Sequence, residues 1–253
     1  MKFSVIVPSY NQENYIQQTL SNLVALKERC QQNSIDFEIL LFDSESNENV
    51  QSVINFYKNQ LDYIEIKKDL GQYDAINKGI VKCTGDYWTW LNTDDLLDED
   101  GFFAIEAILK KEPAIDYIYG GVTYIDENNN EIKTVLPWKI SLEQLVSQEP
   151  AIFQPGSWLK KSFTDKIGLL KPYSCCFDYE YVLRLLKNNS IIHYCSFPVS
   201  KFRYYAFSKT GSNTVQFIKE QLVISKMYGR KWHHYLTFFA QLRLLKHFLF
   251  PRK

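Results

Sequence analysis

The sequence predicts an α/β protein built on a mostly parallel sheet with helices on both faces, and three observations predict it. Short β-rich runs alternate with helical patterns through the first half, which is the pattern that lays parallel strands between helical layers. The first two strand runs are almost continuously apolar, as burial on both faces requires. Each run ends in residues rich in hydrogen-bonding groups, and sheets of this kind bind ligands beyond the carboxyl ends of their strands.

The elements follow in order. "FSVIVP" is the first strand and precedes a helix over 13–29; "FEILLFD" is the second and precedes a helix over 48–60. "YIEIK" leads into a helix over 74–82, and "YWTWLN" into one over 101–111. The second half is less regular: strands at 116–123 and 131–136 flank the turn "DENNNE", and short helices stand near 141–147 and 162–167. A helix over 179–187, a strand near 190–195, a loop and two C-terminal helices complete the chain, with no internal repeat.

A chain of 253 residues can bury one sizeable core, and 45% hydrophobic with 23% charged residues is the composition of a folded domain. We place one large domain at 1–212, with halves 1–97 and 98–212, followed by helices over 213–253. Cys30, Cys83, Cys175, Cys176 and Cys195 show neither CxxC nor zinc-ligand spacing and read as reduced thiols. "MKFSVIVPSY" turns polar too soon for a signal peptide, and no apolar run approaches the roughly 18 residues of a membrane span. A cytoplasmic protein is therefore expected.

The polar strand ends are "PSYN" (8–11), "DSES" (43–46), "DLGQYD" (69–74) and "NTDD" (92–95). "PSYNQENYI" contains no glycine, so neither the Rossmann fingerprint nor a Walker loop is present to cradle phosphates through backbone amides. A nucleotide diphosphate bound here would need another source of positive charge, and a divalent cation held by carboxylates is the simplest. Asp94 and Asp95 fit that need, because two adjacent carboxylates at a strand exit repel unless a cation compensates. Adjacent aspartates also serve as turn and helix-capping residues, although Asp98, Glu99 and Asp100 already stand before "FFAIEAILKK" for that purpose.

Asp43 closes the second strand, where its carboxylate can accept from a ribose hydroxyl or a base N–H; it lies too early to cap the next helix, which Ser46 or Asn47 can do. In "GQYDAINKG", Gly71 allows a close approach, and Asp74 and Lys78 fall one helical turn apart. They form either an i,i+4 ion pair worth about 0.2–0.5 kcal/mol or part of a helix that faces a nucleotide, with Asn77 buttressing the loops.

Taken together and in this order, "SVIVPSYNQENYIQQTL", "FEILLFDSES", "GQYDAINKGIVKCTGDYWTWLNTDD" and "FQPGSWLKKSFTDKIGLLKPYSCCFDYEYVLRL" resemble the family-2 glycosyltransferases of GT-A fold, over about residues 3–205. "YDAINKGI" looks most like the members that build bacterial capsule, exopolysaccharide and lipopolysaccharide. The resemblance implies a nucleotide-diphosphate sugar donor, Mn²⁺ or Mg²⁺, and hexosyl transfer with inversion at the anomeric carbon. It implies a nucleobase and ribose site at Pro8, Tyr10 and Asp43, with Gly71, Asp74, Asn77 and Lys78 alongside, and a metal and sugar-nucleotide segment at Asn92-Thr93-Asp94-Asp95. The family's D-x-D motif begins here with Asn92, which moves metal binding onto Asp94 and Asp95.

By the same resemblance Asp178 in "CCFDYEYVLRLL" is the general base that deprotonates the acceptor hydroxyl; a helix N-cap is its alternative role, and both can coexist. Gln154, Pro155 and Gly156 shape the floor where donor sugar and acceptor meet, although a Pro-Gly turn alone accounts for two of them. "FRYYAFSKTGSN" (202–213) offers Arg203 and Lys209 for a lid over the diphosphate, or is an ordinary loop. Glu180 is expected to pair with Arg184.

Net charge is zero, yet after Glu220 there is no acidic residue while Lys226, Arg230, Lys231, Arg243, Lys246, Arg252 and Lys253 follow. The run 231–250 mixes Trp, Phe and Leu with cations, which suits an interfacial helix on the anionic inner face of a membrane or a helix packed on the domain or on a second subunit of a homo-oligomer. No nucleic-acid motif accompanies it, so a nucleic-acid partner is not expected. The acceptor implied is a saccharide or lipid-linked saccharide. A nucleotidyltransferase lacks support because its glycine-rich loop is missing; a catalytically inactive sugar-nucleotide-binding or scaffold protein finds encouragement only in Asn92.

Overall fold

The computed structural model describes residues 1–147, 154–205 and 214–230. Its strands are β1 (Lys2–Ser9), β2 (Asp36–Asp43), β3 (Tyr63–Ile66), β4 (Tyr87–Trp90), β5 (Leu96–Leu97), β6 (Tyr117–Ile125), β7 (Glu131–Val135), β8 (Trp158–Lys160) and β9 (Ile192–Arg203). The helices are α1 (Ile16–Gln32), α2 (Glu48–Tyr57), α3 (Gln72–Lys82), α4 (Glu99–Lys111), α5 (Leu142–Ser147), α6 (Lys161–Ile167), α7 (Phe177–Lys187) and α8 (Thr214–Met227).

One sheet runs in the order β3-β2-β1-β4-β8-β6-β9-β5, with β7 paired to β6. Strands β1, β2, β3, β4, β6 and β9 share a direction, while β5, β7 and β8 oppose it. The chain moves outward from β1 to β2 and β3, then returns through α3 to place β4 on the other side of β1. The strand order reverses between β1 and β4, and such a switch point leaves a crevice beyond the strand ends.

Side-chain alternation divides the core between the two sheet faces. Phe3, Val5 and Val7 of β1 and Phe37, Ile39 and Leu41 of β2 join the buried stripes of α1, α2 and α4. Ile6, Leu40, Phe42, Trp88 and Trp90 face the other way and pack with α3, α5, α6 and α7. Trp88 and Trp90, two residues apart, share that face and stack at 5.9 Å. Each fully buried large apolar side chain is worth roughly 1.5–3 kcal/mol, so these two layers hold the strand ends rigid. Helix α3 lies so close to β1 that a Cβ on Gly79 would come within 2.4 Å of Ile6 Cγ2.

The strands and helices expected in the first half appear within a few residues of their expected bounds, but the structure differs from the expectation in four ways. β5 and β8 are absent from the expectation because two- and three-residue strands carry no readable alternation. β9 continues to Arg203 rather than stopping near 195, since Pro198 sits where the register with β6 shifts, a place where strands tolerate proline. Helix α7 starts at Phe177 with Cys176 as its N-cap residue, so Asp178 lies inside the first turn instead of before it. Of the two C-terminal helices expected, α8 is described; residues 231–253 lie outside the described residues.

Candidate active site

The crevice at the switch point is a cavity of about 590 Å³, the size range of small-molecule sites. Pro8, Ser9, Tyr10 and Gln12 follow β1, Ser44 and Glu45 follow β2, Lys68, Asp69, Gly71 and Gln72 follow β3, and Asn92–Asp95 follow β4. Phe202, Arg203 and Tyr205 close it from the end of β9. Four strand ends therefore converge because four parallel strands point one way.

The segment after β4 is held from two sides. From α1, the Thr19 hydroxyl donates to the Asp95 carbonyl at 2.9 Å, and Asn22 bonds the backbone of Leu97 in both directions. From β9, the Arg203 backbone N–H donates to Asp95 Oδ1 at 3.1 Å and Arg203 Nε donates to the Asp94 carbonyl at 3.0 Å. The remaining guanidinium N–H groups reach the carbonyls of Asp126 and Glu127 and the side chains of Gln18 and Asn129, with the Tyr15 ring 4.5 Å beneath. Arg203 is thus 1% exposed and fully engaged with protein; it is a strut under Asp94 and Asp95, at a position the sequence offered for a lid or an ordinary loop.

Asp95 is 1% exposed. Burial, followed by the charge of Asp94, pushes its carboxyl well above the carboxylate range against hydrogen bonds from Arg203 and Asn92. Asp94 is half-buried, and its Oδ2 accepts from the Tyr205 hydroxyl at 2.9 Å. Burial, helped by Asp94, raises the Tyr205 phenol to about 12, so it stays a donor. Two carboxylates and the Asn92 amide are oxygen donors of the kind that could hold a hard divalent cation. Among the described residues no group of three or more His, Cys, Asp and Glu side chains gathers, so such an ion would need further ligands from a bound diphosphate.

Asp43 differs from the expectation in its surroundings. Its Oδ1 accepts from the Ser46 N–H (2.8 Å) and Gln51 Nε2 (2.6 Å), and its Oδ2 from the hydroxyls of Ser9 (2.7 Å) and Ser46 (2.6 Å). Those four bonds bury it beneath the crevice, where it pins the loops after β1 and β2. Gly71, at φ 125, makes the turn into α3 that L side chains disfavour, and Asp74 accepts from the Leu70 N–H while pairing with Lys78 at 3.7 Å. Asn77 exchanges two 2.9 Å bonds with the backbone of Leu170, and Lys78 also reaches Glu65 at 3.3 Å. None of Asp43, Asp74, Asn77 and Lys78 lines the crevice.

Asp178 and Gln154 share a separate small cavity with Trp90, Tyr117, Ser157, Leu159, Tyr181 and Val182. Gln154 Nε2 donates to the Trp90 carbonyl at 2.7 Å, fixing the end of β4. Pro155 and Gly156 lie in the turn before β8, where the Pro155 carbonyl accepts from the Ser200 hydroxyl at 2.7 Å. Burial raises the Asp178 carboxyl to about 6, with the Tyr179 N–H (2.7 Å) pulling the other way. A carboxylate with that value is mostly ionised at neutral pH and more basic than an exposed one. Glu180 meets Arg184 at 2.6 Å as expected, and also Lys171 at 2.8 Å.

Lys209 lies outside the described residues. Ser9, Ser44, Glu45, Asp69 and Gln72 stood in the polar strand ends without a role assigned, and position after a strand was the signal for them. Gln12 and Lys68 were given no role, and Phe202 and Tyr205 lay in the 202–213 segment without one of their own; the pairing of Tyr205 with Asp94 left no local trace because the two are 111 residues apart.

Residues 4–173 match the family model described as Glycosyl transferase family 2. UDP-Glc:alpha-D-GlcNAc-diphosphoundecaprenol beta-1,3-glucosyltransferase WfgD of Escherichia coli is 28% identical over 225 residues, covering 86% of this chain and 83% of that protein. Poly(ribitol-phosphate) beta-N-acetylglucosaminyltransferase TarP of Staphylococcus aureus is 28% identical over 234 residues, covering 91% of this chain; the chain spans 60% of TarP's length. Among solved structures, S. aureus TarS 1–349 in complex with UDP-GlcNAc superposes with a TM-score of 0.67 at 17% identity, over 100% of this chain and 74% of that one. The mannosyltransferase PcManGT of Pyrobaculum calidifontis, in complex with GDP-Man and Mn²⁺, gives 0.65 at 14% identity, over 99% and 70%. The structural likenesses establish the fold, which is GT-A.

Proposed function

The chain belongs to glycosyl transferase family 2, and on that premise we propose that it moves a hexose from a nucleotide-diphosphate sugar to a hydroxyl of a surface polysaccharide or lipid-linked glycan, with inversion. The observation that carries this reading is the crevice at the β1/β4 switch point, which ends in Asp94 and Asp95 and lacks any glycine cradle. The donor and acceptor named for WfgD, a UDP-glucose and a diphosphoundecaprenol-linked sugar, and the UDP-GlcNAc bound to TarS support the substrate class.

In this reading Pro8 and Tyr10 flank the nucleobase, and Asn92, Thr93, Asp94 and Asp95 face the diphosphate and sugar. Asp94 and Asp95 would hold Mn²⁺ or Mg²⁺, whose charge offsets the negative charge that grows on the departing diphosphate. Asp178 takes the proton of the acceptor hydroxyl as that oxygen bonds to the anomeric carbon, and the bond from that carbon to the diphosphate oxygen breaks on the opposite side. Its neighbour Trp90 lies two residues before Asn92, which supports a base on the acceptor side of the crevice.

The cationic, aromatic run 231–250 supports a peripheral position on an anionic membrane. Among the described residues no helix is long and apolar enough to cross one.

The test is release of nucleotide diphosphate from UDP-glucose, UDP-GlcNAc and GDP-mannose with and without Mn²⁺, alone and with an undecaprenyl-diphosphate-linked sugar. Metal-dependent release from at least one donor, faster with the acceptor, is expected. Binding without turnover under every condition would favour an inactive sugar-nucleotide-binding protein.

A further inference from the structure

Helix α7 starts without a side-chain cap of its own: Cys176 occupies the N-cap position and makes no side-chain hydrogen bond to the first turn. The N–H groups that lead into it are instead met from a helix 44 residues or more away in sequence. Glu220 of α8 accepts from the Ser174 N–H on Oε1 at 2.9 Å, and from the Cys175 and Cys176 N–H groups on Oε2 at 2.9 and 3.0 Å. Gln216, one turn earlier in α8, donates to Oε1 at 2.8 Å and fixes the carboxylate's rotamer. Glu220 is only 8% exposed. Burial opposes its charge, yet the Gln216 amide and the three backbone N–H groups hold its carboxyl below the ordinary range.

The same helix grips α7 a second time. Tyr228, just past α8, donates to Glu180 Oε1 at 2.7 Å, and Glu180 is fully buried between Lys171 and Arg184. The two grips bracket Asp178, which sits two residues after Cys176 and two before Glu180. A backbone that can shift at Ser174–Cys176 would carry the Asp178 carboxylate with it, and a displacement of about 1 Å at a reacting group can lower turnover on the order of 100-fold.

We propose that Glu220 is a positioning residue for Asp178, so that α8, which lies beyond the residues matched to the family model, is part of the catalytic apparatus. This rests on Asp178 being the base. Glu220 lines neither the crevice nor the small cavity beside Asp178; it acts by locking the segment from which α7 begins.

The experiment compares Glu220→Gln, Glu220→Asp and Asp178→Asn in the full chain, with three readouts. These are UDP affinity by calorimetry with Mn²⁺, kcat and KM for whichever of UDP-glucose, UDP-GlcNAc and GDP-mannose the protein turns over, and hydrogen exchange of amides 174–179. Glu220→Gln is expected to lower kcat on the order of 10–100-fold, with UDP affinity and donor KM within about twofold, and to speed exchange at 174–176. Glu220→Asp keeps the charge and should recover part of the loss. If Glu220→Gln does not fold, Glu220→Asp and Gln216→Leu carry the comparison, each expected to lower kcat and loosen the same amides. A kcat within about twofold of wild type in the folded variants, while Asp178→Asn is impaired, overturns the proposal and leaves the base assignment standing. Near-normal turnover in Asp178→Asn overturns the base assignment and the proposal with it.

Discussion

The backbone N–H of Arg203 donates to Oδ1 of Asp95 at 3.1 Å across 108 residues of sequence, while its guanidinium grips the carbonyl of Asp94. One residue at the end of β9 thereby holds the Asp95 carboxylate and the backbone of Asp94, while the Tyr205 hydroxyl holds the Asp94 carboxylate. If Asp94 and Asp95 hold the cation as proposed, groups that orient such ligands are typically worth about 10–100-fold in affinity.

Arg203→Lys therefore tests the strut. Lysine keeps the charge but cannot span Gln18, Asn129, Asp94, Asp126 and Glu127 together. We expect Mn²⁺-dependent UDP affinity to fall about 10–100-fold, and calorimetry that finds it unchanged would show that the segment holds its own shape.

Asp94→Ala and Asp95→Ala remove the carboxylates themselves. Each is expected to abolish the part of UDP binding that depends on Mn²⁺, leaving affinity equal to that of the wild type in EDTA. If both variants retain wild-type, metal-enhanced affinity, the cation is held elsewhere.

Asp178→Asn should leave UDP affinity intact and lower turnover about 10²–10⁴-fold, as for loss of a general base. In the wild type, turnover should rise with pH through about 6 as the carboxyl ionises. The stability effect has the opposite sign. Because burial raises this carboxyl from its ordinary 3.8 to about 6, the folded protein keeps a proton that the unfolded chain has already released, and stability declines as pH climbs through that window. Asp178→Asn should thus match the wild type in stability near pH 4 and exceed it above pH 6, by about 2–3 kcal/mol at most, read as a higher Tm. Equal Tm values at pH 8 would mean the carboxylate is better solvated than its surroundings suggest.

Removal of residues 231–253 should release the protein from vesicles containing anionic lipid, since those residues include Lys231, Arg243, Lys246, Arg252 and Lys253 and no acid. A truncated chain that still co-sediments would move the membrane contact to another surface.

What could be read along the chain was local. Apolar strands and amphipathic helices repeat at periods of two and 3.6 residues, so β1 to β4 and their helices are legible along the chain, and the polar strand ends that contain Pro8, Tyr10, Gly71 and Asn92 to Asp95 follow from where those strands stop. Helix caps were legible as Ser46 or Asn47 and as the run Asp98 to Asp100; Asn47 and Asp98 take the role, and both accept backbone N–H groups of the helices they begin. The tertiary structure alone decided what each polar side chain does. It filled all four hydrogen-bonding positions of Asp43, made Arg203 a strut, inserted β8 between β4 and β6, and brought Glu220 to the start of α7. Such pairings join residues far apart in sequence, so they have no period; they exist because packing two helical layers on a twisted sheet leaves buried polar groups that must find partners wherever the chain happens to pass.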